Sequence, residues 1–235
     1  IGTLSYIDNI FAEVPALWDL TTGQLLNTPG LPTKDMAHED KEQNRFTDIS
    51  ADGRYIVGCM SFSYLPTGDY IGGIFQYLYD REKASYVAIG FNESATAAWT
   101  PWVENLSFIS TATLSNNGLY VTGNAYLVEA IAGSNFPKET ILPYLYEVST
   151  GRFQIFPDGA ESGLGGWSVD NNGQIFAATP ISNPYREWSV RSGNYWYSFS
   201  LVLKQRYGID FVSKTGIENT GTPLCISNDG KKVAV

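Results

Sequence analysis

Histidine occurs once in the 235 residues, cysteine twice and methionine twice. A single histidine, His38, excludes multi-histidine zinc sites and leaves only carboxylate-rich metal chemistry. His38 stands among Asp35, Glu39, Asp40 and Glu42. Such a charge run reads as a solvated loop, a poor setting for a Ser or Cys triad that depends on histidine. Cys59 and Cys225 lie in apolar, strand-like runs and read as two buried thiols. No framework spacing suggests a disulfide, and their pairing stays open. No run of 18 apolar residues is present, so no transmembrane helix is expected. No secretory signal is visible. The chain opens at Ile1 rather than Met, which points to an upstream segment, so the missing signal says nothing about export. Basic residues are also few, 15 against 24 acidic ones, for a net charge of −9. A polyanion gains nothing by docking on nucleic acid, so that partner is not expected.

What is plentiful is aromatic and glycine: 15 Tyr, 12 Phe, 6 Trp and 23 Gly. Aromatics suit pleated surfaces and glycine suits turns, so the composition leans towards β-structure. Hydrophobic residues make up 43%, enough for a packed core and against disorder.

One signature appears four times. It reads Ile49-Ser50-Ala51-Asp52-Gly53-Arg54-Tyr55-Ile56-Val57-Gly58, then Leu114 to Gly123, Val169 to Ala178 and Ile226 to Val235. The turn glycines Gly53, Gly118, Gly173 and Gly230 are 65, 55 and 57 residues apart, an average unit of 59. Asp or Asn before Gly predicts a type I′ turn with positive φ at both central residues. Ser or Asp two or three positions earlier can hydrogen-bond the turn backbone. The strand that follows is apolar on both faces: Ile56, Met60 and Phe62 on one, Tyr55, Val57 and Cys59 on the other. A sheet covered on both sides is implied, as in the radially packed blades of a propeller.

A second signature interleaves with the first. Ala16 to Leu25, Tyr77-Leu78-Tyr79-Asp80 and Tyr144 to Phe153 each read as strand, polar turn and return strand. Leu201-Val202-Leu203-Lys204 reads as a degenerate fourth copy. One unit is thus a strand pair around the Asp/Asn-Gly turn, a variable loop and an outer hairpin, about four strands in all. The longest variable stretches run from Asn27 to Arg45 and from Ser182 to Asn194, and such excursions emerge on the faces of a propeller. Tyr126 to Ala132 reads equally as a short helix or as a strand extension.

The expected fold is an all-β β-propeller, one domain over 1–235, with units near 47–110, 111–165, 166–222, and 223–235 joined with 1–46. The N-terminal hairpin and the C-terminal turn signature would close a four-bladed ring as a composite blade. The last strand stops at Val235, so a section of a longer propeller fits as well.

The turn signature with its later Tyr-Leu-Tyr-Asp/Glu hairpin resembles bacterial secreted β-propeller repeats, including the HAF-type extracellular repeats. The resemblance covers most of the chain through short motifs. It implies a periplasmic or extracellular location and no catalytic residue. Trp18-Asp19 is not a WD40 signature, because the period is too long and the other copies replace Trp.

No compact catalytic or cofactor motif is present. Asp170-Asn171-Asn172-Gly173 and Asn228-Asp229-Gly230 are oxygen-rich but lack EF-hand spacing, and turn chemistry accounts for them. Asp48, Asp80, Glu147 and Asp170 recur at repeat positions, which favours structural roles over paired-carboxylate hydrolysis. The most suggestive feature is aromatic. Trp99 and Trp102 flank Thr100-Pro101, and Tyr185, Trp188, Tyr195, Trp196 and Tyr197 cluster with Arg186 and Arg191. Flat rings with a polar edge either fill gaps between blades or form platforms for a sugar or a protein. The expected function is a non-enzymatic, exported binding scaffold for a glycan or a surface protein. Trp99, Trp102, Tyr185, Arg186, Trp188, Tyr195 and Trp196 are its candidate contacts, with no metal and no cofactor. A carbohydrate-active enzyme with carboxylates at a central channel is the alternative, and a structural module of a larger protein is a further one.

Overall fold

The computed structural model describes residues 2–5, 13–31, 44–62, 73–92, 100–101, 106–129, 138–156, 166–179, 187–192, 195–210, 225–226 and 232–234. It is nearly all β and divides into two compact units, 1–114 and 115–235.

The first unit opens with β1 (Gly2–Ser5), β2 (Glu13–Asp19) and β3 (Gln24–Leu26), paired antiparallel in that order. A four-stranded antiparallel sheet follows: β4 (Asn44–Ile49), β5 (Tyr55–Phe62), β6 (Gly73–Asp80) and β7 (Ser85–Ala88), each beside the next. A small pair, β8 (Phe91–Asn92) and β9 (Thr100–Pro101), comes next, and β10 (Leu106–Leu114) packs near β4, β5 and β6. The expected burial on both faces of β5 holds. Ile56 and Met60 on one face are as enclosed as Val57 and Cys59 on the other. Cys59 is a buried thiol whose sulfur accepts the Nε–H of Arg45 at 3.4 Å. Gly58 lies under the ring of Tyr77, where a Cβ would collide with Cζ and the hydroxyl. The missing side chain lets Tyr77 cross the strand and donate to Asn44 Oδ1 at 2.7 Å. Burial raises the Tyr77 hydroxyl well above its ordinary pKa of 10.0.

The second unit contains β11 (Tyr120–Glu129), β12 (Lys138–Glu147) and β13 (Arg152–Ile155) as a meander. A second meander is built from β14 (Gly166–Val169), β15 (Ile175–Thr179), β16 (Glu187–Ser192) and β17 (Tyr195–Ser198). Helix α1 (Phe199–Tyr207) and the short pair β18 (Cys225–Ile226) and β19 (Val233–Ala234) complete it. Tyr126 to Glu129 extend strand β11 rather than starting a helix. No helix among the described residues is long and apolar enough to cross a membrane.

The turn signatures at Gly53, Gly118 and Gly173 form as hairpin connections, but not as type I′, and the fourth, at Gly230, lies outside the described residues. Gly53 N–H bonds the carbonyl of Ser50 at 2.9 Å and Gly118 N–H that of Ser115 at 2.8 Å. The central residues of the first turn are therefore Ala51 and Asp52. Among the described residues of these turns only the glycines take positive φ, +71° at Gly53, +72° at Gly118 and +76° at Gly173. This is a type I turn followed by a left-handed glycine, the longer hairpin connection. The reason is the side chain at the start. The Ser50 hydroxyl accepts Tyr55 N–H at 2.9 Å and donates to Asp52 at 2.6 Å, which fixes the right-handed turn. Ser115 and Asn117 repeat the arrangement. In the third copy Asp170 replaces serine, and its Oδ1 accepts the N–H of Asn172 and of Gln174.

The outer hairpins β2–β3, β6–β7 and β12–β13 form where the second signature places them. The fourth does not. Leu201 to Lys204 lie in α1, and the outer hairpin of that sheet is β16–β17, within and just after the stretch read as a variable loop. Ser198 caps the helix by accepting Leu201 N–H. Gly208 ends it at φ +65°, with its N–H on Lys204 O and that of Ile209 on Leu203 O. Leu, Lys, Gln and Arg between these caps are good helix formers. The aromatic and β-branched residues upstream are good strand formers.

Candidate functional site

The second unit holds a pocket of about 510 Å³, within the range of about 300–1,000 Å³ usual for small-molecule sites. Three kinds of local structure build it. Alternation along β13 sends Arg152 and Gln154 to one side, while Phe153 packs on Tyr144 with centroids 5.2 Å apart. The Asp170 turn supplies Asn172, Gly173 and Gln174 at the rim, and Leu145, Phe156 and Ile175 supply apolar lining. Strand β16 brings Arg191, and the last turn of α1 brings Arg206.

Arg191 is 6% exposed, a buried cation. Its Cζ lies 3.3 Å from the centroid of the Phe156 ring and 5.7 Å from that of Trp196. The two rings meet edge to face, 6.5 Å apart at 82°. The negative ring faces compensate part of the cost of taking the guanidinium out of water. The Trp196 indole N–H is buried and meets no acceptor among the described residues. Among the described residues the pocket is lined by three arginines and one carboxylate, Asp170, which is held by the backbone N–H groups of its own turn.

The other recurrent carboxylates serve the fold. Asp48 accepts Leu114 N–H and Ile49 N–H, at 2.9 and 2.8 Å. Burial raises its pKa above the ordinary value, against the pull of those two bonds. For Asp80 burial also pushes up. The Arg54 guanidinium at 3.0 Å and the N–H groups of Lys83 and Glu82 together outweigh it and leave the group lowered. The Glu147 carboxylate accepts the hydroxyls of Ser149 and Thr150 in its hairpin turn. Among the described residues no three His, Cys, Asp or Glu side chains gather as a metal site.

Of the residues singled out in the sequence, Trp99, Trp102, Tyr185, Arg186 and His38 lie outside the described residues. Trp188 is on β16, and Tyr195 and Trp196 are on β17, so these three sit in a sheet rather than in loops. Trp196 joins Arg191 and Phe156 beside the pocket, whereas Tyr195 is 69% exposed. No motif singles out Arg152, Phe156 or Arg206. They come from a strand, the residue after it and a helix, 54 positions apart at the extremes, and no short motif links them.

No protein-family model and no characterised protein sequence matches the chain. Among solved structures it is similar to TolB from Acinetobacter baumannii, with 22% identity and a TM-score of 0.37 over 76% of this chain and 35% of that one. It is also similar to an oligogalacturonate lyase from Vibrio parahaemolyticus, with 12% identity and a TM-score of 0.30 over 78% of this chain and 58% of that one. The chain thus spans about a third of the first protein's length and under two thirds of the second's. Likenesses this loose carry no activity across, and the resemblance to HAF-type repeats rests on the sequence signatures alone.

Proposed function

We propose that the chain is a binding module of the β-propeller type, exported, and directed at a glycan or a surface protein. The observation that carries the binding role is the arginine-lined pocket of the second unit, a concave site whose one carboxylate among the described residues is committed to its own turn. The propeller reading is supported by meanders that recur with the glycine turns and by burial on both faces of β5. The ring would have four units, closed on itself or continued in a longer chain. Asp48, Asp80, Glu147 and Asp170 are all engaged in backbone, hydroxyl or ion-pair contacts, which supports binding over paired-carboxylate hydrolysis. In this reading Trp99, Trp102, Tyr185, Trp188, Tyr195 and Trp196 contribute ring faces and edges to the contact surface, and Arg186 contributes a guanidinium.

A glycan array with the purified chain tests the reading, together with Trp188→Ala and Trp196→Ala at matched thermal stability. Retention of a defined set of glycans, lost in either variant, is the expected result. A blank array, or binding untouched by both substitutions, would sink the glycan reading.

A further inference from the structure

Two Asn-Asn-Gly triplets stand in the chain, Asn116-Asn117-Gly118 and Asn171-Asn172-Gly173. Both lie in turn signatures of the second unit, with the glycine at positive φ. Asparagine is thermolabile, and most so before glycine. Glycine has no Cβ to shield its nitrogen, so that nitrogen can attack the side-chain amide carbon of the asparagine. Both triplets offer the same reactants. They differ in how the fold holds them.

The Asn117 amide is fastened at both ends. Its Oδ1 accepts the Ser115 hydroxyl at 2.7 Å and Leu119 N–H at 3.1 Å, and its Nδ2 donates to Asn171 O at 3.1 Å. Gly118, which carries the attacking nitrogen, is buried, and its N–H donates to Ser115 O at 2.8 Å. Asn172 is exposed, and among the described residues its side chain makes one long contact, Nδ2 to Asp170 Oδ2 at 3.4 Å. Gly173 is half-buried, and its N–H bond to Asp170 O stretches to 3.2 Å. The cause is the residue that opens each turn. Ser115 gives its hydroxyl proton to the asparagine oxygen. The Asp170 carboxylate has none to give, and its Oδ1 is occupied by backbone N–H groups.

We propose that Asn172-Gly173 is a site of spontaneous deamidation on the rim of the pocket. The Gly173 nitrogen loses its proton to hydroxide and bonds to Asn172 Cγ. The Cγ–Nδ2 bond breaks, and ammonia leaves. Water then opens the cyclic imide at either carbonyl, which gives aspartate or isoaspartate with no electron transfer. The product sets a second acid group beside Asp170 where a donor amide stood, and both positions line the pocket. The isoaspartate branch also lengthens the backbone of the turn. At Asn117 the aspartate product would only reproduce the pair already present in the first unit, where Ser50 donates to Asp52 at 2.6 Å.

Incubation of the purified chain at mildly alkaline pH, followed by peptide mapping with mass spectrometry, reads the acid form at both sites. In the folded chain Asn172 should convert at least about tenfold faster than Asn117, the kinetic equivalent of the extra hydrogen bonds that hold Asn117. In urea the two rates should converge, because the Asn-Asn-Gly triplets are the same. Conversion at Asn117 as fast as at Asn172, or no conversion at Asn172 in the folded chain, overturns the proposal. A gap that persists undiminished in urea overturns it too, since flanking residues rather than the fold then set the rate. The outcome does not depend on what the pocket binds, so a blank glycan array leaves it standing.

Discussion

Neighbouring strands and turns are fastened differently in the two units, although the same signature underlies both. In the first unit the contact is internal. A bulge between Phe46 and Asp48 lets two consecutive side chains reach β10. Thr47 Oγ1 donates to Ala112 O at 2.9 Å, and Asp48 accepts Leu114 N–H at 2.9 Å. In a regular strand those two side chains would point to opposite faces. In the second unit the contact is external and runs from turn to turn. Asn117 N–H donates to Asn171 Oδ1 at 3.0 Å, and Asn117 Nδ2 donates to Asn171 O at 3.1 Å. The bulge recurs there, between Gly166 and Ser168, but Ser168 stands where the first unit has Asp48. Asp48 at the bulge thus carries the interior tie described in the first unit, and Asn171 at the turn carries the surface tie described in the second.

The comparison can be broken at four places, in descending order of effect. Asp48→Ala removes a half-buried acceptor and strands two N–H groups, so a loss of about 2 kcal/mol is expected in urea unfolding. Its pH dependence carries a sign. Burial raises the folded-state pKa above the ordinary 3.8, so between those two values the folded form holds the proton and the unfolded form does not. The contribution of Asp48 to stability therefore rises as pH falls through the folded value and levels off below the ordinary one. The gap between wild type and Asp48→Ala should widen over that window. A gap that narrows there would contradict a desolvated carboxylate.

Gly173→Ala comes next. Its φ is +76°, and a Cβ would lie 3.0 Å from the Tyr120 ring. About 2 kcal/mol of destabilisation is expected from strain and crowding together. Asn171→Ala removes one exposed turn-to-turn bond and should cost about 1 kcal/mol or less. A loss as large as that of Asp48→Ala would erase the distinction between internal and external fastening. The smallest effect has the opposite sign. The hairpin β6–β7 places Ala84 at φ +49°, where the matching hairpins have Gly23 at +67° and Gly151 at +69°. Ala84→Gly should stabilise by about 0.5 kcal/mol, the left-handed strain of alanine less the added chain entropy of glycine. A fall in melting temperature would show that Ala84 is not strained.

Much of the fold was legible because it is local. The Ser-x-Asp/Asn-Gly turns, the two-sided apolar strand β5 and three outer hairpins follow from residues close together in the chain. The turn type was misread because dipeptide chemistry favours type I′, whereas Ser50 and Ser115 impose hydrogen bonds that pull the central residues back to negative φ. The last hairpin was misread because Leu201 to Lys204 look apolar in isolation. Their caps at Ser198 and Gly208 decide for helix, and the alternating run around Trp188 and Trp196 takes the strands instead. The site was the least legible part. Trp196 and Arg191 were visible as a cluster and face each other in one hairpin, but Arg152, Phe156 and Arg206 converge from separate elements, and one-dimensional spacing carries no record of that.

The two kinds of connection in a meander lie at opposite ends of its strands. In the β4–β7 sheet the Gly53 turn and the hairpin turn after Asp80 sit side by side, joined by Arg81 N–H to Arg54 O and by the Arg81 side chain to Gly53 O. In the second unit Val148 N–H reaches Leu119 O in the same way. The crossings from β5 to β6, from β11 to β12 and from β15 to β16 leave from the other end. Register is set at one edge, and length is free to vary at the other. Substitution or insertion in those crossings leaves the pairing code of the strands untouched, so one ancestral unit could acquire new specificities by drift at a single margin.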